Sequence, residues 1–318
     1  KKRKTTTMSE RTVHKVELED IVVPKLDEGG SAIIFQRHGK YSRDRTAPDA
    51  GSISPESTAQ MAEHDRRFFH ELLQQEDVYV LFVSSDTQYA GNGHRSLETA
   101  QVAQDAAIEE MVDIDIDPKE RIINFSDSFV TARHDGTDQD IRPLAGIREP
   151  QIFNPEDRAY LAHLQENYGY ADEEAKTGLT PKGWAMHEMD AEREMRETTG
   201  AEGENELIAR TKRTLAVLER YARIWHTEHP GKRLVIWAAS HYDTISPIIK
   251  EADGVLRMED GSLSDAYQPV DYGGGVVINL PPSAEDEATL ERRTGSVPIE
   301  MGSVATKVAV TRQNSPKY

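Results

Sequence analysis

Leu234-Val235-Ile236-Trp237-Ala238-Ala239-Ser240-His241 is the stretch on which the fold turns. Its apolar residues run without alternation, which reads as a strand buried on both faces. Such strands belong to parallel sheets covered by helices on both sides. Ser240-His241 then stands at the carboxyl end, and a helical pattern follows through Ile248. Outward from this stretch the same unit recurs. Ala32-Ile33-Ile34-Phe35 leads into Arg37-His38-Gly39, and Ser54-Pro55-Glu56 opens a helix with Ser54 as N-cap and Pro55 in its first turn. Met61, Phe68, Phe69, Leu72 and Leu73 fall at helical spacing and predict packing against the sheet. Val78-Tyr79-Val80-Leu81-Phe82-Val83 is a further strand, followed by a loop from Ser84 to His94. The helix that starts near Arg95 would bury Leu97, Ala100, Ala103, Ala107 and Met111.

The remaining pattern is weaker. Ile122-Ile123-Asn124-Phe125 reads as a short third strand. Residues 127–200 are charged and broken by Pro143, Pro150, Pro155 and Pro181, and read as a helical insertion or cap. Helices are expected at 155–167 and from Trp184 to Met195, with the acidic run Glu188 to Glu197 as a solvated helix face. Glu204 to Glu228 is a long helix that His229-Pro230-Gly231 stops. Val276-Val277-Ile278-Asn279-Leu280 and Val304 to Val310 are late strands, and Gly273-Gly274-Gly275 ahead of the first of them reads as a turn or bulge. Strands alternating with helices predict an α/β fold: three layers, a mostly parallel sheet flanked by helices, with a helical cap. Residues 1–29 form a polar tail, and 30–318 form one domain with an insertion at about 127–200.

Composition narrows the function. The chain has 318 residues and no Cys, which excludes disulfides and Cys-ligated metal sites. Its net charge is −18, which argues against a nucleic-acid surface, since phosphate backbones call for excess Lys and Arg. No stretch approaches the ~20 apolar residues of a membrane helix. No apolar segment follows the basic start Lys1-Lys2-Arg3-Lys4, so the expected location is cytoplasmic. The expected partner is a small molecule; a homodimer is compatible with the chain, whose oligomeric state leaves no mark in the sequence.

In open α/β sheets, ligands bind beyond the carboxyl ends of the strands. Arg37-His38, Ser85 with Arg95 beyond its loop, and Ser240-His241 would all meet there, although they lie far apart in sequence. Two imidazoles and two guanidiniums converging on one edge make a site for an anionic group. Arginine grips phosphate oxygens with a fixed fork, and histidine can act as a nucleophile.

Three of these segments carry a resemblance. Phe35-Gln36-Arg37-His38-Gly39 resembles the opening motif of the histidine phosphatase superfamily, also called phosphoglycerate mutase-like. Arg95-Ser96-Leu97-Glu98-Thr99-Ala100 is similar to that family's second-arginine helix start, and Ala239-Ser240-His241 to its second histidine. Their order and strand–motif–helix context match over about 30–112 and 230–280.

The resemblance implies a phosphomonoester hydrolase working through a phosphohistidine intermediate, without a metal or other cofactor. His38 would be the nucleophile, and Arg37, Arg95 and His241 would surround the phosphoryl oxygens. The proton donor to the leaving group would be Glu149, because Ile147-Arg148-Glu149-Pro150 resembles the element that supplies it in the mutase branch; Asp135 and Asp138 are rivals. Gly39, Lys40, Arg43, Arg45, Ser85, His94 and Ser240 would contact the substrate. The chain departs from the family at Lys40-Tyr41-Ser42-Arg43-Asp44-Arg45 and in its long Asp86–His94 loop, which weakens the mutase reading. Two alternatives use the same pocket: a phosphoglycerate mutase-type phosphotransferase, and a catalytically silent phospho-ligand binding protein.

Other histidines have plainer readings. His226 and His229 at a helix end are expected to serve as capping and dipole partners. His64-Asp65 lies within a helix with no partner carboxylates placed, and is not read as a metal motif.

Overall fold

The apolar run 31–37 forms a strand whose alternate residues enter different cores. Ile33 and Phe35 pack on one face and Ala32 and Ile34 on the other, all of them buried. The computed structural model describes residues 23–42, 47–88, 93–123, 141–149, 159–170, 173, 176, 178–245, 272–280, 296–301 and 304–309. In chain order these form β1 (Ser31–Arg37), α1 (Pro55–Leu72), β2 (Val78–Ser85), α2 (Arg95–Asp113), α3 (Pro118–Arg121) and β3 (Arg142–Leu144). A 3₁₀ turn (Ala145–Ile147) follows, then α4 (Ala159–Tyr168), α5 (Pro181–Glu188), α6 (Arg193–Thr199) and α7 (Glu204–Glu228). The chain continues through β4 (Arg233–Ser240), β5 (Gly275–Leu280), β6 (Ser296–Met301) and β7 (Val304–Ala309).

The strands make one sheet of order β3-β2-β4-β1-β5-β6-β7. From β3 to β1 the pairing is parallel; from β1 to β7 it is antiparallel. The expected parallel sheet therefore holds for the half that carries the predicted site, and the sheet as a whole is mixed. Leu215, Leu218, Ala222 and Trp225 of α7 cover one face, while Phe68, Phe69 and Leu72 of α1 and Ala100, Ala103 and Met111 of α2 cover the other. Each such burial of a large apolar side chain contributes roughly 1.5–3 kcal/mol. The three-layer α/β class stands as the sequence predicts.

Local signals place the helix ends. Ser54 Oγ accepts from the Ser57 N–H at 3.2 Å, with Pro55 next in line. At the end of α7 the His229 backbone N–H donates to Trp225 O at 3.0 Å, and its ring stacks on Trp225 at 4.4 Å, the capping role expected of it. His226 turns Nε2 to Ser31 Oγ at 2.6 Å. Before β1, Leu26 is buried, its N–H donating to Gln75 Oε1 and its carbonyl accepting from Arg233 Nε, so the polar leader meets the domain by that residue. Residues 1–22 lie outside the described residues.

Two elements and one charged face differ from the reading of the sequence. Ile122 makes only a bridge to Val80, with Asn124 and Phe125 outside the described residues; the strand beside β2 is β3, too short and polar to show a periodicity. The helix expected from Trp184 to Met195 is two helices, α5 and α6. Between them Asp190 takes a positive φ of 53° and its carboxylate accepts from Arg196 Nε at 2.6 Å. Arg196 is only 3% exposed, so the charged run is not uniformly solvated as expected. Helices α4–α6 close on a small core of Tyr160, Leu164, Leu179 and Ala201, with Trp184 against it. The helix expected at 155–167 is α4, with residues 155–158 outside the described set. Among the described residues no helix is long and apolar enough to cross a membrane.

Candidate active site

Strand register levels the carboxyl ends. Arg37 pairs with Ser240, Ser84 with Ala239 and Ser85 with Leu144, so the residues that follow β1, β2, β3 and β4 emerge on one edge. Because β5 runs antiparallel, its entry segment Tyr272-Gly273-Gly274 reaches the same edge. There the Arg37 N–H donates to Gly274 O at 2.7 Å and the Gly273 N–H to Arg37 O at 3.1 Å. Gly273 has φ +79°, the turn its sequence predicts.

His38 is 4% exposed, and its backbone N–H still pairs with Ser240 O at 2.9 Å. Its Nδ1 lies 2.8 Å from Gly39 O. A carbonyl only accepts, so Nδ1 carries the proton and Nε2 keeps its lone pair. Arg95 Nε donates to that Nε2 at 3.0 Å, so a second neighbour fixes the same tautomer. Gly39 is clamped in turn. Its N–H donates to Thr99 Oγ1 at 3.0 Å, and Thr99 Oγ1 donates to Arg95 O at 2.7 Å. A Cβ on Gly39 would stand 2.6 Å from Met61 Sδ and 2.8 Å from Ser57 Oγ, so a larger residue here would have to displace both side chains.

Arg95 opens α2 and is 1% exposed. A cation at a helix N-terminus opposes the helix dipole. The offset comes from Glu149, whose Oε1 accepts from Arg95 Nη2 at 2.7 Å. Glu149 is held through its backbone, where its N–H donates to Thr87 Oγ1 at 2.9 Å. The preceding turn is pinned by Ser240 Oγ, donating to Ile147 O at 2.7 Å, and by Arg210 Nη1, donating to Gly146 O and Arg148 O at 3.0 Å each.

His241 is 1% exposed, and its ring centroid stands 5.1 Å from that of His38. Its Nε2 meets Ser85 Oγ at 2.9 Å and Ser96 Oγ at 3.3 Å, while Nδ1 has no hydrogen-bond partner among the described residues. Burial holds this imidazole well below its ordinary pKa, and the charges of Arg95, His38, Arg37 and Arg210 push it the same way. Arg37 lies with its guanidinium 4.0 Å over the Tyr272 ring and 5.4 Å from Tyr242.

A buried brace stands behind β1. Trp237 Nε1 donates to Gln36 Oε1 at 3.0 Å, and Gln36 Nε2 donates to Asp65 Oδ1 at 3.1 Å and Gly273 O at 3.3 Å. Burial raises the Asp65 carboxyl pKa, with His64 and Gln36 opposing through hydrogen bonds. His64-Asp65 thus serves the strand end.

The predicted set sorts as follows. His38, Arg37, Arg95, His241 and Glu149 meet at one edge. Gly39, Ser85 and Ser240 are there too, but the contacts of the two serine hydroxyls hold His241 and the Ile147 turn. Lys40 is exposed, with its backbone N–H on Ser57 Oγ. His94 takes the N-cap of α2, its N–H on Glu98 Oε1 at 3.2 Å. Arg43, Arg45, Asp135 and Asp138 lie outside the described residues. Sequence reasoning missed Thr87 and Tyr272, and quoted Tyr41 only as a departure from the family pattern. Tyr272 could be found only by knowing that β5 runs antiparallel.

The chain carries a net charge of −18, yet this edge gathers two buried or half-buried guanidiniums and two imidazoles. Such a cluster can take an anion. The molecule is therefore an α/β protein that gathers two histidines and two arginines at one strand-end edge. No family model and no curated protein matches the chain. It is similar to the solved structure of mycobacterial hydrolase 2, at 11% identity over 89% of this chain and 94% of that one, with a TM-score of 0.46. It is also similar to mycobacterial glucosyl-3-phosphoglycerate phosphatase, at 12% identity, 78% and 89% coverage and a TM-score of 0.42. The alpha-ribazole phosphatase of Shigella flexneri follows at 15% identity, 79% and 91% coverage and a TM-score of 0.35. These likenesses carry no part of the functional reading, which rests on the side chains.

Proposed function

We propose that this protein is a phosphomonoester hydrolase that passes the phosphoryl group through His38. The observation that carries the reading is the His38 imidazole: its Nδ1 is tied to a carbonyl, its Nε2 keeps the lone pair, Arg95 and His241 stand against it, and Arg37 stacks on the neighbouring Tyr272. In the first step the Nε2 lone pair attacks phosphorus in line, and the bond from phosphorus to the leaving oxygen breaks. Arg95 transfers an N–H from Nε2 to a phosphoryl oxygen, exposing the lone pair as it neutralises the anion. Arg37 and the unpartnered Nδ1 edge of His241 take the other oxygens. Glu149, released from its ion pair as Arg95 turns to the phosphoryl oxygen, takes up the proton that a monoanionic phosphate ester brings and passes it to the leaving alkoxide. In the second step Glu149 takes a proton from water, the oxygen attacks phosphorus, and the phosphorus–nitrogen bond breaks to release phosphate.

The cationic side chains supply the charge stabilisation that a metal gives in other phosphoryl transfers, so this reading requires no metal. A carboxylate beside the binding arginine favours an enzyme over a silent binding protein. The expected substrate is a small phosphorylated metabolite in the cytoplasm. The test is free phosphate release from p-nitrophenyl phosphate and a panel of phosphorylated metabolites, set against isomer formation from phosphoglycerate. Phosphate release by the wild type and its loss in His38→Ala are expected; undiminished release by that variant overturns the reading, and isomer formation in place of release assigns a mutase.

A further inference from the structure

Both arginines of the site stack on tyrosines. The Arg95 guanidinium lies 4.4 Å over the Tyr41 ring and that of Arg37 lies 4.0 Å over Tyr272. The two tyrosines also flank the nucleophile, with ring centroids 5.3 Å and 5.7 Å from His38 and 6.5 Å from each other. The chain Arg95–Tyr41–His38–Tyr272–Arg37 thus runs unbroken around the site. Neither tyrosine belongs to the three motifs that carry the family resemblance: Tyr41 sits where the chain departs after the first motif, and Tyr272 enters β5.

A guanidinium has two kinds of surface. Its edge donates five N–H bonds in one plane, and its faces are weakly hydrated and stack on aromatic rings. A tyrosine under one face takes up none of the edge donors. It also lets the guanidinium pivot within its plane at little cost, because the contact with the electron-rich ring persists. Phosphoryl transfer through His38 demands such a pivot of Arg95, whose Nε–H moves from Nε2 to a phosphoryl oxygen. An unsupported arginine would have more rotamer freedom to lose in meeting that demand.

We propose that Tyr41 and Tyr272 are positioning residues that hold Arg95 and Arg37 in plane around the phosphoryl group through their ring faces. The proposal rests on the phosphoryl-transfer reading. The test compares Tyr41→Phe and Tyr272→Phe with Tyr41→Leu and Tyr272→Leu. Leucine fills comparable space but has no ring face. Two measurements are made: kcat and KM on p-nitrophenyl phosphate, and orthovanadate affinity by calorimetry.

The Phe variants are expected to stay within about twofold of wild type, and each Leu variant to lose about 2- to 30-fold in kcat/KM and in orthovanadate affinity. If Leu matches Phe, the rings only fill space and the proposal is overturned. If Phe loses as much as Leu, the hydroxyls act and it is equally overturned. Should a Leu variant fail to fold, fluorinated phenylalanines at position 41 or 272 replace it: each added fluorine drains the ring face at nearly constant shape, so activity must fall stepwise, and a flat series overturns the proposal. A wild type that binds orthovanadate without hydrolysing esters removes the hydrolase reading and leaves the stacking to be judged on affinity alone. A wild type that binds no orthovanadate overturns both.

Discussion

Arg95 and His38 share one lone pair: Nε of the arginine donates to Nε2 of the histidine at 3.0 Å, while Gly39 O holds the opposite ring nitrogen at 2.8 Å. The reactive nitrogen is therefore Nε2, and a trapped intermediate must carry phosphorus on that atom. Acid-stable and base-stable phosphoamino acids differ, so rapid quenching into alkali followed by mass spectrometry and phosphorus NMR locates the group. Phosphorus on Nε2 of His38 is the expected result, with a loss of about 10⁴-fold or more in kcat for His38→Ala. Label on Nδ1 would contradict the tautomer set by the Gly39 carbonyl.

Arg95→Lys is expected to behave as a severe change. The buried guanidinium binds His38 through Nε and Glu149 through Nη2 at once, and a single ammonium cannot span both. Loss of one oxyanion donor costs about 10² to 10³ in kcat. Steady-state kinetics on p-nitrophenyl phosphate measures this, and a lysine variant within tenfold of wild type would show that the charge alone suffices.

Glu149 has two roles to separate, since it anchors Arg95 and stands as the proton donor. Leaving-group dependence divides them. p-Nitrophenolate departs without a proton, whereas an alkoxide needs one. Glu149→Gln keeps a hydrogen-bond acceptor for Arg95. It is expected to spare p-nitrophenyl phosphate to within about tenfold, yet to slow alkyl phosphates by about 10² to 10⁴. Equal losses on both substrates would make Glu149 an anchor alone.

How much of this was legible depends on the range of each signal. His38, Arg95 and His241 sit directly after or at the start of strongly patterned elements, so a strand run or a helix start announces them. Glu149 follows a strand of three residues, Arg142–Leu144, which has no periodicity to detect. It was reached by resemblance, and the rival carboxylates at 135 and 138 were not separated from it by any local rule. Tyr272 depends on the direction of β5, a tertiary property, since the same apolar run could pair either way. The break between α5 and α6 was hidden for a similar reason: it is made by the Asp190–Arg196 contact, and Arg196 reads as a surface residue until its neighbours are in place.

His241 gives the fold a pH dependence of definite sign. Burial, with Arg95, His38, Arg37 and Arg210 around it, holds its pKa well below the ordinary 6.5. As pH falls through that ordinary value the unfolded chain takes up a proton that the folded chain refuses, so the unfolded state gains. The contribution of a neutral His241 is thus fully present above about pH 6.5 and is lost as pH falls toward the depressed folded value. The slope attributable to this one proton reaches at most about 1.4 kcal/mol per pH unit. His226 is shifted in the same direction by burial, so the slope of the wild type alone does not isolate His241. The difference between wild type and His241→Gln does, because glutamine does not titrate and retains polar atoms toward Ser85 and Ser96. Urea unfolding of both proteins at intervals between about pH 5 and pH 7.5 is expected to show a shallower acid loss of stability in the variant. Parallel curves would mean that folding does not shift the titration of this imidazole, and a steeper acid loss in the variant that the fold holds it protonated; either outcome overturns the lowered assignment of His241.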